Sequence, residues 1–500
     1  MKADVIEKIT LDMYENWISE AEGLGCKTPD EFEEYILNSK NVNIWEFDKI
    51  REKIVRKCFN DKDYSKLNLI GNYFFGRTFI PSRLADDIMN NFIFLTTAKD
   101  LEMFVYSDGV YKPEGENLIR EVVTAILGED GRVLRTHEVI SNIKFRTLIK
   151  RDEFDKDKDV INLKNGIFRL SDGKLHDHTP TILTTVQMGI KFDRKAKCPN
   201  IKKFLKEIVT SDNVPLLEEM IGYCLVKNYK FHRFFILDGE TNAGKTTFIR
   251  LLESFLGKEN VSGTSLYDLT MRTFLRAELY GKLANIHDDI PDTTITKTGA
   301  IKMVTGEAMI QAELKYRNPF KFTNYAKFIF TTNNPPMILE SSLAMDERLI
   351  LISFPNSFTG AKMDRNLLEK MTTEEELSGL FNLAVKGLKR LQKQKKFSNE
   401  GTIIERREKY KRRSASVECF FADEIIQDWD GAIGKHELYN RYTQYCTNHE
   451  ILPKRQNIFS QHLHQFVTVQ EGRQMINGEA GVRCWRGIRF KDEEQKTLDN

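Results

Sequence analysis

The spacing of apolar residues changes along the chain and predicts where helices give way to strands. Residues 1–90 keep the three- and four-residue spacing of helices, most regularly over Ile44–Phe59. From Phe92 the pattern becomes short alternating runs separated by turn residues, and Asn165-Gly166 is the strongest hairpin signal among them. We therefore predict a helical region at 1–90 and an α+β region at 91–204.

Three further segments have clear periodicity. We predict a strand over 101–106 that turns at Asp108-Gly109, a helix around Leu118–Leu127 and a helical stretch over Pro199–Leu225. The last of these leads directly into the most informative part of the chain.

An apolar run, a glycine-containing loop and a second apolar pattern follow one another there. Phe234–Leu237 has the continuous apolar character of a buried parallel strand, and Phe248–Leu256 has helical spacing. The loop at 239–246 reads G-E-T-N-A-G-K-T, which matches the G-x-x-x-x-G-K-[ST] pattern of phosphate-binding loops. This order of strand, loop and helix predicts an α/β fold with a P-loop.

The residue types in the loop suit phosphate binding. Glycines let the backbone wrap tightly, so that its N–H groups converge on a phosphate at a helix N-terminus. Lys245 would place its charge on the β- and γ-phosphates, and the Thr246 hydroxyl would ligate Mg²⁺. The alternative is a glycine-rich turn with a solvated lysine, which the flanking strand and helix disfavour. The candidate ATP-binding residues are Gly239, Glu240, Thr241, Asn242, Ala243, Gly244, Lys245, Thr246 and Thr247.

A second strand, Leu283–His287, ends in two acids. In a site that hydrolyses ATP, Asp288 would join Thr246 around Mg²⁺ and Asp289 would orient the attacking water. Elsewhere, such a pair is usually a solvated turn, so this assignment depends on the loop upstream. His287 is expected to be a hydrogen-bonded structural residue.

Two more strands place polar residues near the predicted site. The strand at 326–333 would bring Asn333 to the γ-phosphate or to the water that attacks it, unless Asn333 is only a turn residue before two prolines. Arg348 begins the strand at 349–352. It is either a local partner of the acids before it or an arginine finger that reaches a neighbouring subunit.

Alternating apolar and polar residues over 310–322 predict a β-hairpin that turns at Asn318-Pro319. Lys315 and Arg317 lie near its tip and Lys321 on its return strand. Cations in such places either keep an exposed edge soluble or grip nucleic-acid phosphates.

The C-terminal part combines basic runs with short helical patterns. Residues 386–413 are strongly basic, as is common for a solvated helix face or linker. Helices are predicted over 417–429, 436–449 and 456–466, followed by two strands. Three short helices and a β-ribbon predict a winged helix at 414–490, a module that binds either DNA or protein. If it binds DNA, the third helix would enter the major groove. The predicted phosphate contacts are Arg483, Arg486 and Arg489.

Composition limits the class of protein. With 500 residues, 41% hydrophobic and 30% charged, the chain is long enough for about three globular domains. It has no apolar run of about 20 residues and no signal-peptide pattern, so no membrane association is expected. The seven scattered cysteines include no C-x-x-C pair, which favours reduced thiols in the cytoplasm over structural zinc. A net charge of +2 does not by itself indicate nucleic-acid binding.

Several motifs together carry a family resemblance that covers most of the chain. The matching stretches are G-E-T-N-A-G-K-T at 239–246, Y-G-K-L-A-N-I-H-D-D-I at 280–290, A-E-L-K-Y-R-N-P-F-K-F within 302–322, K-F-I-F-T-T-N-N-P-P at 327–336 and E-R-L-I-L-I-S-F-P at 347–355. In this order, they resemble a superfamily 3 helicase of the phage and plasmid primase–helicase group, related to the poxvirus primase–helicase. Upstream, 105–111 and 161–166 resemble the accessory domain of that group.

The resemblance implies an AAA+-like ATPase at 205–400 that forms a hexameric ring around single-stranded DNA. ATP–Mg²⁺ would lie on Lys245 and Thr246, with Asp288 and Asp289 as the second acidic motif. Asn333 would be the sensor and Arg348 the finger supplied in trans. Lys315 and Arg317 would point into the central channel. Forked DNA would be the working substrate, in a prokaryotic or virus-infected cell.

The chain departs from its relatives in one respect. The acidic pair and histidine of a primase domain are not evident before His137, so a separate primase or polymerase would have to supply priming. Two other functions are also consistent with the sequence. The protein could be an initiator or switch that uses ATP only to assemble on DNA, or a small-molecule kinase, which the basic hairpin and C-terminal module disfavour.

Overall fold

The protein is described from a computed structural model. The residues described are 11–26, 29–40, 44–64, 67, 72–75, 77–290, 298–313, 320–338, 343–360, 364–449, 451, 453–476 and 478–491. They form two units, one mainly from residues up to Gln187 and the other mainly from Met188 onward. Among the helices described, none combines the length and apolar character that crossing a bilayer requires.

The first unit begins with helices and continues as helices and short strands. Its helices are α1 Leu11–Gly23, α2 Pro29–Ser39, α3 Ile44–Asp61, α4 Pro81–Asn91, α5 Gly115–Leu127 and α6 Val133–Arg146. Its strands are β1 Phe74–Phe75, β2 Thr78–Phe79, β3 Phe94–Thr97, β4 Met103–Ser107, β5 Val110–Lys112, β6 Leu148–Ile149, β7 Val160–Leu163, β8 Gly166–Arg169 and β9 Lys174–His176. They form sheets in the orders β1-β2, β5-β4-β3-β6 and β7-β8-β9.

The structure confirms most of the local predictions in this unit. The helices around 44–59 and 118–127 are present, and the turn at Asp108-Gly109 has φ values of +54° and +85°. The strand predicted over 101–106 begins later, at Met103, because Leu101 adopts a left-handed conformation with φ +54°. The short β1–β2 hairpin is an exception to the predicted helical character of 1–90.

The predicted hairpin at 159–170 is also present, with its turn one residue earlier. Leu163 pairs with Gly166, so Lys164 and Asn165 form the turn. A Cβ at Gly166 would lie 2.5 Å from the carbonyl oxygen of His176 on the neighbouring strand. Glycine therefore provides room for the third strand rather than serving as the turn residue.

The core of the second unit is a parallel sheet with helices. Its strands are β10 Phe234–Gly239, β11 Val261–Ser262, β12 Ala284–His287, β13 Met309–Ala312, β14 Phe320–Thr323, β15 Lys327–Thr332 and β16 Leu349–Phe354. Five of them pair in the order β11-β12-β15-β10-β16, and every pairing is parallel. All five carboxyl ends therefore lie at the same edge of the sheet. The predicted strand, loop and helix at 234–256 are confirmed.

The core helices are α7 Pro199–Ile208, α8 Val214–Cys224, α9 Lys245–Leu256, α10 Leu266–Met271, α11 Gly299–Val304, α12 Leu343–Asp346, α13 Leu367–Met371 and α14 Glu374–Gln394. The continuous helical stretch predicted over Pro199–Leu225 is wrong, because α7 ends at Ile208 and α8 begins at Val214. The break falls on T-S-D-N at 210–213, whose side chains compete with helical hydrogen bonds, and Pro215 then occupies the first turn of α8.

Two polar residues in β12 have local explanations. Asn285 is fully buried, and its side chain bonds the Ser262 hydroxyl and both the N–H and the carbonyl of Thr264. His287 Nδ1 lies 2.9 Å from the Gly263 oxygen, as expected of a structural histidine. Both side chains hold the segment after β11 against β12.

Strands β13 and β14 form a separate two-stranded sheet. Ile310, Ala312, Phe320 and Phe322 are buried, which confirms the predicted alternation. The predicted turn at Asn318-Pro319 lies outside the described residues.

The C-terminal part of this unit contains α15 Ile403–Ser414, α16 Ser416–Glu424, β17 Ile425–Gly434, α17 Lys435–Asn448, α18 Gln456–Phe466, β18 Gln470–Ile476 and β19 Glu479–Phe490. The strands pair antiparallel in the order β17-β19-β18. The helix predicted over 417–429 is wrong beyond Glu424, because Ile425 and Ile433 are buried in β17 against β19. The other two helices and both later strands are as predicted. We call residues 416–490 the C-terminal module.

Candidate functional site

The loop at 239–246 lies at the carboxyl edge of the parallel sheet, between the end of β10 and the start of α9. Gly244 precedes α9 with φ +91°, and a Cβ there would lie 2.8 Å from Ile208 Cγ2 on α7. Both its conformation and its close packing therefore require glycine. The first backbone N–H groups of α9 lie at the end of this loop, and they have no partners within the helix.

Lys245 extends across the loop and joins it to the end of β15. Its Nζ donates to the backbone oxygens of Gly239 at 2.5 Å and Glu240 at 2.8 Å, and to Oδ1 of Asn333 at 2.9 Å. Burial lowers the pKa of Lys245, opposed by the nearby carboxylates of Asp238 and the β12 acids. A partly buried ammonium at a helix N-terminus gives this edge a strong attraction for anions.

The two acids after β12 have different surroundings. Asp288 accepts from the Thr246 hydroxyl, with Oγ1 and Oδ2 3.2 Å apart, and from the Thr331 hydroxyl. Asp289 has a left-handed φ of +58°, and its N–H donates to Thr331 Oγ1 at 2.9 Å. Thr331 therefore holds both acids in place. The sequence pattern did not predict this role, although Thr331 lies in the polar end of the strand predicted at 326–333.

A cavity of about 610 Å³ lies at this edge, within the usual size range of sites for small ligands. Most of the predicted loop residues line it, and so do Asp288, Asp289 and Asn333. The rest of the lining comes from α7 and from the segment that begins at Phe358, neither of which carries a recognisable motif. Their lining residues are Asn200, Lys203, Phe204, Glu207, Phe358, Asp364, Leu367 and Lys370. The backbone bond from Phe358 N–H to the Asn242 oxygen, 2.9 Å, ties this wall to the loop.

Arg348 lies at the other end of the sheet. Its carbonyl accepts from Phe234 N–H at the start of β10, whereas the loop follows the end of that strand. The guanidinium donates to the Ala344 oxygen at 2.6 Å, and its buried Nε has no hydrogen-bond partner among the described residues. Arg348 does not line the cavity of its own chain.

The predicted hairpin cations are only partly described. Lys321 is exposed on β14. Lys315 and Arg317 lie outside the described residues, so their predicted DNA contacts stay predictions.

The three C-terminal arginines differ in their surroundings. Arg483 and Arg486 are exposed on β19, and Arg486 donates to the Arg473 oxygen at 3.0 Å. Arg489 forms an ion pair with Asp428, with Nε and Oδ2 3.0 Å apart. Arg489 therefore has a protein partner at the position where the sequence predicts a phosphate contact.

The exposed side of α18 carries the residue types that read base edges. Phe459 and Leu463 face the core, while a polar set lies on the exposed side. This set is Gln456, Asn457, Gln461 and His464. Asparagine and glutamine can each bond two atoms of adenine in a major groove.

Comparison with known proteins gives matches to two family models. The model described as "D5 N terminal like" matches residues 96–210. The model described as "Family of unknown function (DUF5906)" matches residues 237–348, which include the loop, the β12 acids, Asn333 and Arg348.

Two viral proteins are similar over nearly half of the chain. Primase D5 of fowlpox virus (strain NVSL) is 25% identical over 249 residues, which cover 46% of this chain and 31% of the relative. The putative helicase 184R of Invertebrate iridescent virus 6 is 25% identical over 248 residues, covering 44% of this chain and 24% of the relative. The alignments thus span less than a third of either relative.

Among solved structures, the apo structure of the NrS-1 C-terminal region (305–718) aligns with 81% of this chain and 99% of its own length, with a TM-score of 0.41 and 12% identity. The matches to the D5 family model and to the two viral proteins confirm the resemblance predicted from the motifs: over these regions the chain is similar to proteins of the primase–helicase type.

Proposed function

We propose that the protein is an ATP-dependent DNA helicase that translocates on single-stranded DNA as a hexameric ring. One observation carries this proposal. Lys245, Thr246, Asp288 and Asn333, from three parallel strand ends, converge on one cavity of about 610 Å³. This arrangement suits a nucleoside triphosphate with its phosphates at a helix N-terminus.

In this proposal, the side chains around the loop rearrange when ATP binds. The Lys245 ammonium leaves the Gly239 and Glu240 oxygens for the β- and γ-phosphates, while Asn333 remains beside the γ-phosphate. The Thr246 hydroxyl and Asp288 carboxylate are hard oxygen donors of the kind Mg²⁺ prefers. When bound, Mg²⁺ would neutralise charge on the β- and γ-oxygens. Asp289 then orients water for in-line attack.

The wall lined by α7, Phe358 and Leu367 would hold the base. Phe204 and Phe358 offer aromatic surface and Leu367 aliphatic surface in the same cavity as the phosphate loop. Apolar walls with a few polar groups are typical of nucleotide-base sites.

Arg348 would complete the site of a neighbouring subunit. It lies at the sheet end opposite its own cavity, which favours action in trans over action in cis. Hydrolysis would then alter the subunit interface and move the β13–β14 hairpin. Lys315, Arg317 and Lys321 would carry a DNA phosphate through the ring.

We further propose that the C-terminal module is a winged helix that binds DNA. Its order of helix, strand, two helices and two strands supports this, as do the polar side of α18 and the exposed Arg483 and Arg486. Asn457 and Gln461 would read base edges, with the two arginines on phosphates.

The deciding experiment measures ATP hydrolysis and strand displacement on a forked duplex with the same protein preparation. We expect single-stranded DNA to stimulate hydrolysis and the fork to be unwound only with ATP and Mg²⁺. Hydrolysis without stimulation or displacement would instead support an ATP-regulated initiator that assembles on DNA. Absence of both ATP binding and hydrolysis would contradict the proposal.

A further inference from the structure

One face of α15 contacts three segments of the sheet region: the residues just before Arg348, the segment after Asn333 and the end of β10. Arg406, Tyr410 and Arg413 are four and three residues apart, so they lie on the same side of the helix. Arg406 bonds the backbone oxygens of Asp346 and Glu347, immediately before Arg348.

The other two residues reach the phosphate edge. The Tyr410 hydroxyl donates to the Pro336 oxygen at 2.6 Å, three residues after Asn333. Arg413 forms an ion pair with Asp238, the residue before the phosphate-binding loop, with Nε and Oδ2 3.1 Å apart. The side chains of Arg413 and Asp238 are largely buried, at 10% and 2% exposed.

Asp238 is a buried acid that the proposed hydrolysis does not use. Its Oδ2 has no hydrogen-bond donor among the described residues, so the contact with Arg413 is an ion pair without an aligned hydrogen bond. Burial raises the pKa of Asp238, opposed by Arg413 and then by Lys245. The carboxylate thus interacts with three cations, Arg413 and Lys409 on α15 and Lys245 in the loop.

The neighbouring residue, Arg412, holds the C-terminal module. Its guanidinium lies 2.6 Å from Asp423 Oδ2 on α16 and also contacts the Tyr445 hydroxyl on α17. Tyr445 in turn donates to Asp423 at 2.5 Å. Two adjacent arginines therefore tie one turn of α15 to the module on one side and to the end of β10, just before the nucleotide loop, on the other.

Charge balance decides what Arg413 does for nucleotide binding. If Asp238 were ionised without Arg413, it would compete with the phosphates for Lys245 and repel the triphosphate through a low-dielectric interior. With Arg413 in place, the negative charge of Asp238 is offset, so Lys245 is available to the phosphates.

We propose that Arg413 is a positioning residue that neutralises Asp238 and so couples the position of the C-terminal module to ATP affinity. This inference rests on the proposed ATP site and adds its regulation. A movement of the module that withdraws α15 would weaken ATP binding, and ATP binding would in turn favour the docked helix.

The test compares the dissociation constants of a fluorescent ATP analogue with Mg²⁺ for the full chain and its variants. We expect R413Q to bind roughly tenfold more weakly or worse, because it leaves Asp238 unpaired. R413K retains the charge and should bind nearly as wild type does. The double variant D238N/R413Q should regain most of the affinity, because the carboxylate is gone as well. The control E408Q removes a charge from the exposed side of the same helix and should bind as wild type.

Hydrogen exchange of the segment 403–424 supplies a readout that a merely structural role would not change. ATP analogue should increase its protection in wild type and in R413K but not in folded R413Q. Circular dichroism identifies folded variants, and if R413Q is not folded, D238N alone decides the matter. D238N should bind the analogue at least as tightly as wild type but lose the change in protection.

The inference is overturned if R413Q binds within twofold of wild type, if the double variant stays as weak as R413Q, or if D238N retains the full change in protection. A wild-type chain that binds no analogue contradicts the proposed function itself, so the two failures are distinguishable.

Discussion

At the scale of single residues, the proposed chemistry depends on a lysine that already has three oxygen partners. Lys245 contacts two backbone oxygens and Asn333, so the loop and the end of β15 are linked before any ligand enters. A phosphate must compete with these bonds, and it does so with full negative charge.

We expect Lys245→Ala to reduce kcat/KM for ATP by about 10²–10³-fold, because it removes the positive charge from the transferring phosphate. Steady-state ATP hydrolysis measures the effect. Lys258→Ala, an exposed lysine beyond the end of α9, is the matched control and should behave as wild type. Near-normal turnover in the first variant would refute the role of the loop.

Substitutions of Asp288 and Asp289 should have different effects in a Mg²⁺ titration of ATP hydrolysis. Asp288 contacts the Thr246 hydroxyl, so Asp288→Asn should raise the Mg²⁺ concentration for half-maximal hydrolysis by roughly tenfold or more. Asp289→Asn should lower kcat with little change in that concentration, because its proposed partner is water. Equal shifts in both variants would show that the roles are not divided in this way.

The buried thiols should resist alkylation. Burial raises the pKa of Cys198 and Cys446 to about 11 and that of Cys224 to about 12. These groups are therefore protonated at pH 8, and only the thiolate is nucleophilic. Iodoacetamide labelling followed by mass spectrometry should modify the part-exposed Cys26 first and these three only after unfolding. The folded thiols keep their protons at a pH where the unfolded thiols lose theirs. The free energy of unfolding should therefore fall as the pH rises above about 8.5.

At the scale of elements, α8 and α14 support the sheet through an unusually close approach. A Cβ at Gly387 would lie 2.4 Å from the Glu218 oxygen, and one at Gly222 would lie 2.3 Å from the Ala384 oxygen. Beside them, the buried Glu219 accepts from Arg390 Nε at 2.5 Å and from the Ser398 hydroxyl at 2.6 Å. Small residues and a satisfied acid thus fix the spacing of these helices.

Gly387→Ala should destabilise the protein even though alanine is the better helix former. The propensity gain of about 1 kcal/mol is smaller than the cost of about 1–3 kcal/mol for forcing two backbones apart. Chemical denaturation gives the free energy of unfolding. Gly299→Ala, at a helical glycine with nothing within 4 Å of the added Cβ, should be neutral or slightly stabilising. The same sign at both positions would contradict the packing argument.

At the scale of the whole molecule, the proposed site is incomplete in one chain, because Arg348 lies away from the cavity of its own subunit. Mixing Arg348→Ala with wild-type protein should therefore depress ATP hydrolysis more than in proportion to the mutant fraction, since each mutant subunit impairs its neighbour. Mixtures with Arg441→Ala, an exposed arginine of the C-terminal module, should show simple dilution at most. A linear decline with Arg348→Ala would argue against a finger supplied in trans.

Local features that depend on neighbours in the chain could be predicted from the amino-acid sequence. Strand, loop and helix at 234–256, the acids after β12 and helix α18 follow from periodicity and residue type. The errors have different causes: side chains at 210–213 interrupt a helical pattern locally, whereas Ile425 lies in a strand that pairs with Phe490, far along the chain. A short apolar run can form either a helix or a strand, and the segment that packs beside it decides between them.

Which distant residues meet is known from the folded chain alone. Parallel pairing brings Lys245, Asp288 and Asn333 to one edge and puts Arg348 at the other, because a strand's two ends are a strand length apart. Phe358 and Arg413 carry no motif, and they matter because chain folding sets them against the loop and Asp238. Such contacts depend on packing between segments far apart in sequence, which spacing along the chain does not encode.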